Sequence, residues 1–160
     1  MYEQILVGTD GSDTATRAVT AAAEIASRCG AQLHVGVAYS GRMAGVGRAD
    51  FEEAPPAYRW RLTPGAVAEA VGEQAAIAAH QAATEPIEVE VHCVLARPVE
   101  GVVELATRLD VDLVVVGNRG MAGTGRILGS VPRAVAQRAP CAVLIVDTVG
   151  RRRGRRRRAA

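Results

Sequence analysis

Lysine is missing from all 160 residues. That excludes a Walker-type phosphate loop, whose lysine reaches the β- and γ-phosphates of a nucleoside triphosphate. Aromatic residues make up only 3% of the chain, which argues against a ligand site built on ring stacking. Cys29, Cys93 and Cys141 are scattered and odd in number, so neither a disulfide framework nor a metal site is implied. Cys29 ends a helix pattern and the other two lie at strand positions, where buried small hydrophobes are expected. No apolar run approaches the roughly 20 residues of a membrane-spanning helix. Met1-Tyr2-Glu3 leads straight into a short apolar strand, without the basic start and long apolar stretch of a secretory leader. The expected location is a reducing cytoplasm.

What is present is Ala and Val. Residues of hydrophobic type make up 49% of the chain, a composition suited to Val-rich strands buried between Ala-rich helices. The length fits one domain with one sizeable core. The formal charge of +2 hides an asymmetry, because seven of the arginines fall between Arg151 and Arg158. The remainder carries 12 arginines against 17 acidic residues, a balance of −5. A mildly acidic domain over 1–149 is expected to precede a disordered, Arg-rich tail over 150–160.

Gln4 to Gly8 is a short apolar run stopped by Gly8-Thr9-Asp10-Gly11, a strand entering a turn. Ser12 or Asp13 can cap a helix over Thr14–Cys29, whose apolar residues recur at three and four before Gly30 ends it. Gln32 to Tyr39 alternates into a second strand. Ser40 to Thr63, rich in Gly, Pro and mixed charge, breaks the rhythm and is expected to be a mobile loop. Pro64 opens a helix to about Ala83, and Ile87 to Leu95 forms a third strand. Val99 to Leu109 is helical, and Asp112 to Gly117 is a strand buried on both faces. Ser130 begins a helix to about Arg138, and Ala142 to Val146 is the fifth strand.

Strands alternating with helices predict an α/β fold, a doubly wound open five-stranded parallel sheet with helices on both faces. The order 3-2-1-4-5 would put the reversal of strand order between the first and fourth strands. Ligands of open parallel sheets bind outside the carboxyl ends of the strands at such a switch point. Both glycine-rich turns, Gly8–Gly11 and Gly117–Gly129, follow those two strands.

In the second turn a strand hands over to a helix through Gly117, Gly120, Gly123, Gly125 and Gly129. Glycine permits positive φ and lets main-chain amides approach an anion. The helix that starts at Ser130 adds unpaired N–H groups and a partial positive charge. Ser130 could cap that helix and offer its hydroxyl to phosphate, with Arg119 and Arg126 adding charge-assisted hydrogen bonds. The bland alternative is a flexible connection with Ser130 as a mere cap. Asp10 could accept hydrogen bonds from adenine or ribose, or serve only as an Asx residue stabilising the turn before Gly11; the two roles are compatible.

These segments resemble the universal stress protein family, in its nucleotide-binding branch. The resemblance covers residues 1–148 and rests on Ile5-Leu-Val-Gly-Thr-Asp-Gly-Ser12, Asp112-Leu-Val-Val-Val-Gly117, Gly129-Ser-Val-Pro132 and Ala139-Pro-Cys-Ala-Val-Leu-Ile-Val146. The branch carries glycine, two residues, glycine, nine residues, glycine, then Ser or Thr. Gly117, Gly120, Gly129 and Ser130 match in type, but eight residues separate Gly120 from Gly129. A second departure is Ala96-Arg97-Pro98, where the family often has Gly-x-Pro. The resemblance implies that Gly8, Thr9 and Asp10 hold the adenine and ribose side, that Ala38 lines the base pocket, and that Val116 and Gly117 flank the ribose. Arg119, Gly120, Gly129, Ser130 and Val131 would surround the phosphates. It implies ATP or cyclic AMP as ligand, a role in stress response or signalling, and a homodimer through the last strand; Mg²⁺ would enter only with ATP, and no residue pattern marks a site for it.

No group of residues reads as an acid–base pair or nucleophile. His34, His80 and His92 are far apart in sequence, and structural or surface roles are expected for each. Binding with at most slow ATP hydrolysis is expected. The rival readings are an ATP-consuming enzyme of the same parallel fold and a nucleic-acid-associated module. The latter would work through a tail whose seven arginines meet polyanions without reading sequence.

Overall fold

The computed structural model describes residues 1–40, 55–56, 61–118 and 129–148. Most of the Ser40–Thr63 connection, Arg119, Gly120 and Arg126 of the glycine-rich turn, and the arginine tail lie outside the described residues. The elements run β1 (Gln4–Gly8), α1 (Asp13–Cys29), β2 (Gln32–Tyr39), α2 (Pro64–Ala82), β3 (Val89–Leu95), α3 (Pro98–Arg108), β4 (Leu113–Gly117), α4 (Ser130–Arg138) and β5 (Ala142–Val146). The strands form one parallel sheet in the order β3-β2-β1-β4-β5. This is the topology expected from the alternation of patterns.

Element boundaries follow local chemistry. Ser12, not Asp13, caps α1: its Oγ accepts the Ala15 N–H at 3.3 Å, while Gly30 closes the helix in the left-handed region at φ 64°. Thr63 caps α2 through Oγ1, with Pro64 in the first turn. Helix α3 begins at Pro98, one residue earlier than its apolar periodicity predicts, because proline holds Arg97 in extended backbone. Strand β3 begins at Val89 rather than Ile87: its register starts at the Leu33–Val89 pair, and Glu88 contributes only its carbonyl, which accepts the Leu33 N–H at 2.9 Å.

The sheet is buried on both faces by the period-two alternation of its central strands. Ile5, Val7, Leu33, Val35, Leu113 and Val115 pack against Ala18, Val19, Ala22 and Ala26 of α1 and Ala75 and Ala79 of α2. Leu6, Val114 and Val116 point the other way, onto Val102 and Leu105 of α3 and Val135 of α4. Alanine dominates the α1 and α2 faces, so helices lie close on the valine-rich sheet. The three cysteines are half-buried rather than fully buried; burial raises the thiol pKa of Cys93 and Cys141 and keeps both protonated.

Asp112 ties the start of β1 to β4. Its Oδ2 accepts the N–H groups of Glu3 at 2.8 Å and Gln4 at 2.9 Å. These backbone donors hold its carboxyl below the ordinary 3.8. The unfolded chain therefore takes up this proton first on acidification. The clamp's contribution is complete above the unfolded value and is lost as pH falls through the lower folded one. Asp112→Asn is expected to lower the melting temperature at neutral pH and to flatten the acid limb of a melting-temperature profile, read by circular dichroism.

Candidate functional site

Strands β1 and β4 lie side by side, and their carboxyl ends open into a cleft of about 420 Å³. Beyond β1, the chain turns through Thr9, Asp10 and Gly11, where Gly11 takes φ 75°. Thr9 donates its N–H to the Gly36 carbonyl at 3.0 Å, which pins the turn to β2. Asp10 Oδ1 accepts from the Ser12 N–H at 3.1 Å and the Ser12 hydroxyl at 2.6 Å. Ser12 Oγ also lies 3.0 Å from Thr14 Oγ1. Asp10 is thus the Asx turn residue considered above, and it also lines the cleft.

The structure brings eight of the eleven sequence-predicted residues together on the cleft wall: Gly8, Thr9, Asp10, Ala38, Val116, Gly117, Ser130 and Val131. Arg119 and Gly120 fall outside the described residues. Gly129 stands immediately before Ser130, as the residue that caps α4.

Two expectations about the glycine-rich corner need correction. Ser130 does not cap α4; it is the first helical residue, and Gly129 at the cap makes no side-chain hydrogen bond. Nor does positive φ explain the described glycines here, since Gly129 has φ −55° and the positive-φ glycines among the described residues are Gly11 and Gly30. Gly117 is needed for closeness instead. A Cβ there would stand 3.0 Å from Thr148 Cγ2, tighter than ordinary packing, and in ordinary contact with Thr148 Oγ1 at 3.6 Å.

That closeness exposes a part of the site that sequence reasoning missed. Asn118, buried at the end of β4, accepts both the backbone N–H and the hydroxyl of Thr148 through Oδ1, each at 2.8 Å. Its Nδ2 donates to Asp147 Oδ1 at 3.0 Å, and its own N–H reaches the Val146 carbonyl at 3.0 Å. This network holds the segment after β5 against Gly117 and makes Thr148 a wall of the cleft. Ser12, Thr14, Gly36, Pro98, Val102 and Pro132 also line it unforeseen. Pro98, as the first residue of a helix that follows a strand, carried the one local signal for a switch-point position.

Three helices begin at this cleft, α1 through Ser12, Thr14 and Ala15, α3 through Pro98, and α4 through Ser130, Val131 and Pro132. Each N-terminus brings a partial positive charge and amides without an intrahelical acceptor. In α4 the Arg133 N–H closes onto the Gly129 carbonyl at 3.2 Å, so the amides of Gly129, Ser130 and Val131 precede the helical ladder. Ala38, Val102 and Val116 add apolar lining to the same cleft. Such a cleft can take a ligand that combines an apolar group with an anion.

The model of the Universal stress protein family matches residues 1–147. A universal stress protein of Mycobacterium tuberculosis is 38% identical over 148 residues, covering 92% of this chain and 97% of that protein. One from Thermus aquaticus is 35% identical over 147 residues, covering 91% and 99%. A solved universal stress protein in complex with cAMP superposes with a TM-score of 0.69 at 36% identity, covering 92% of this chain and 98% of that one. The universal stress protein from Archaeoglobus fulgidus in complex with dAMP shares the fold, with a TM-score of 0.64 at 24% identity over 91% of this chain and 98% of its own. The fold, the family model and relatedness along nearly the whole domain agree: the chain belongs to the universal stress protein family.

Proposed function

We propose that this chain binds an adenine nucleotide, ATP or cyclic AMP, in the cleft between β1 and β4. The base and ribose lie toward Thr9, Asp10 and Ala38, and the phosphates lie at the start of α4. The observation that carries this reading is the convergence of three helix N-termini on a cleft that is also lined by the apolar Ala38, Val102 and Val116. It is supported by the similarity to a universal stress protein in complex with cAMP. Gly129, Ser130 and Val131 serve the phosphates through main-chain amides, with Arg119 and Gly120 completing the cradle and Mg²⁺ accompanying ATP. Gly8, Val116 and Gly117 flank the ribose.

The protein acts by binding rather than by efficient turnover, in a cytoplasmic stress response or in signalling. Two copies pair through β5, which bonds to β4 on one side and exposes Leu144 at the end of the sheet. The arginine tail adds salt-sensitive contact with polyanions and is separable from nucleotide binding.

Mass spectrometry of small molecules released from freshly purified protein tests this reading, followed by competition between ATP and cyclic AMP. An adenine nucleotide is the expected product, and its absence together with failure of both to bind would sink the assignment. Asp10→Ala frees Ser12 from two hydrogen bonds at the base and ribose side. Calorimetry is expected to show adenine nucleotides weakened by about tenfold, near 1.4 kcal/mol, with inorganic polyphosphate weakened less.

A further inference from the structure

On β2 and β3, where His92 shares a register row with Gly36 and Gly8, three potential ligands converge that are separated by up to 58 residues in sequence. His34 and Glu90 are register partners, and His92 follows on the same face of β3. The residue opposite His92 is Gly36, which has no side chain to hold the ring away from His34. His34 Nδ1 lies 3.0 Å from His92 Nε2. Glu90 Oε2 is 3.6 Å from His34 Nδ1 and 3.7 Å from His92 Nε2.

We propose that His34 Nδ1, His92 Nε2 and a Glu90 carboxylate oxygen form a binding site for a divalent transition-metal ion of the zinc type, with water in the fourth position. Three features of the cluster carry this. The first is spacing. Ligand bonds of about 2.0–2.1 Å arranged tetrahedrally put donor atoms roughly 3.3 Å apart, and the three separations here bracket that value closely. The second is orientation: Gln4 Oε1 sits 2.7 Å from His34 Nε2. By accepting that N–H, Gln4 fixes the tautomer that leaves Nδ1 as the ligand, the task of an outer-shell partner in metal sites. The third is access. The two imidazole side chains are 5% and 11% exposed whereas Glu90 is 56% exposed. The nitrogens are held rigidly and the carboxylate stands at the open edge, where an ion can enter and water can bind.

Without metal, one proton lies between the two rings, on His92 Nε2 in the tautomer that Gln4 selects. Metal binding moves that proton to His92 Nδ1, so both imidazoles ligate in the neutral form without net change. Two imidazoles and one carboxylate suit zinc and its neighbours better than magnesium or calcium, which favour all-oxygen shells. The Arg108 guanidinium acts on His92 from α3 and opposes the ion, but it is paired with Glu104 at 3.7 Å.

The test uses the full chain, stripped with chelator and titrated with Zn²⁺ by calorimetry and with Co²⁺ by visible absorption. One Zn²⁺ per chain is expected, with the intense visible bands of tetrahedral Co²⁺ and no thiolate-to-metal charge transfer. Glu90→Gln and His92→Gln are each expected to weaken Zn²⁺ by at least the roughly 10- to 100-fold that loss of an outer-shell partner costs. Gln4→Met should weaken it less. Glu90→Gln is a surface change that spares the fold, so the test survives if His92→Gln misfolds. No binding, unchanged affinity in Glu90→Gln, or a thiolate charge-transfer band assigning the ion to Cys29, Cys93 or Cys141 would each overturn the proposal.

Discussion

Gly117→Val is expected to weaken adenine nucleotides by about 100-fold or more, near 2.8 kcal/mol, in equilibrium dialysis or calorimetry. Gly117 ends β4 on the cleft wall, and its hydrogen faces Thr148. A Cβ would press on Thr148 Cγ2 at 3.0 Å, with Thr148 Oγ1 at 3.6 Å and the Thr14 carbonyl at 3.8 Å in ordinary contact. Thr148 cannot retreat cheaply, because its hydroxyl and its backbone N–H are both bound to Asn118 Oδ1. The two γ-methyls of valine must therefore strain that network or project into the space assigned to the ribose. Overpacking of this kind costs about 1–3 kcal/mol of stability. The domain should stay folded by circular dichroism while binding is lost. Gly117→Ala, which adds only the Cβ, should give an intermediate loss. Equal binding by the wild type and both variants would show that the ligand lies elsewhere.

Leu105→Ala is expected to destabilise the fold by about 3 kcal/mol, the middle of the range for deleting a buried leucine side chain. For a domain of this size that corresponds to a fall in melting temperature of roughly 6–12 °C. Leu105 is 1% exposed and packs with Leu6, Val102 and Val114 on the α3 side of the sheet. Its Cδ1 would lie 2.9 Å from a Cβ on Gly36, so the leucine fills the space that Gly36 leaves empty. Alanine at 105 leaves a cavity that the rigid strands on either side cannot close. Gly36→Ala in the Leu105→Ala background should recover part of the loss, since the added methyl occupies that cavity and Leu6 Cδ1, 3.1 Å from it, can shift into the remaining space. A shift below 2 °C in thermal denaturation would mean that α3 is not held by this contact.

The topology was legible because punctuation and periodicity coincide along the chain. Gly8-Thr9-Asp10-Gly11 and Gly117 stop two apolar strands, the strand–helix alternation makes the sheet parallel, and the order 3-2-1-4-5 puts those two strands at the switch point. The same logic placed Thr9, Asp10, Gly117 and Ser130 on one cleft. It could not supply Thr148, whose place depends on Asn118 reaching across 30 residues of sequence to fasten the segment after β5. Nothing local to either residue announces that bond. The His34–His92 pair was hidden for a related reason: side chains on parallel strands meet only when the register is known. One residue of slip in β3 would have put His92 on the other face. His80, on α2, stays apart from both as its helical position suggested. The misassigned cap at α4 shows the limit of residue preference. Serine favours the cap position, but Gly129 holds the extended backbone there and leaves Ser130 inside the first turn, on the cleft.

The most direct test is a two-dimensional amide NMR titration of the ¹⁵N-labelled chain with ATP and, separately, with cyclic AMP. At saturation the largest shifts are expected at the amides of Thr9, Gly117, Ser130, Val131 and Thr148, with His34, Glu90 and His92 nearly unmoved. Shifts centred on another part of the sheet, with Ser130 and Val131 unchanged, would contradict the placement of phosphate at the start of α4.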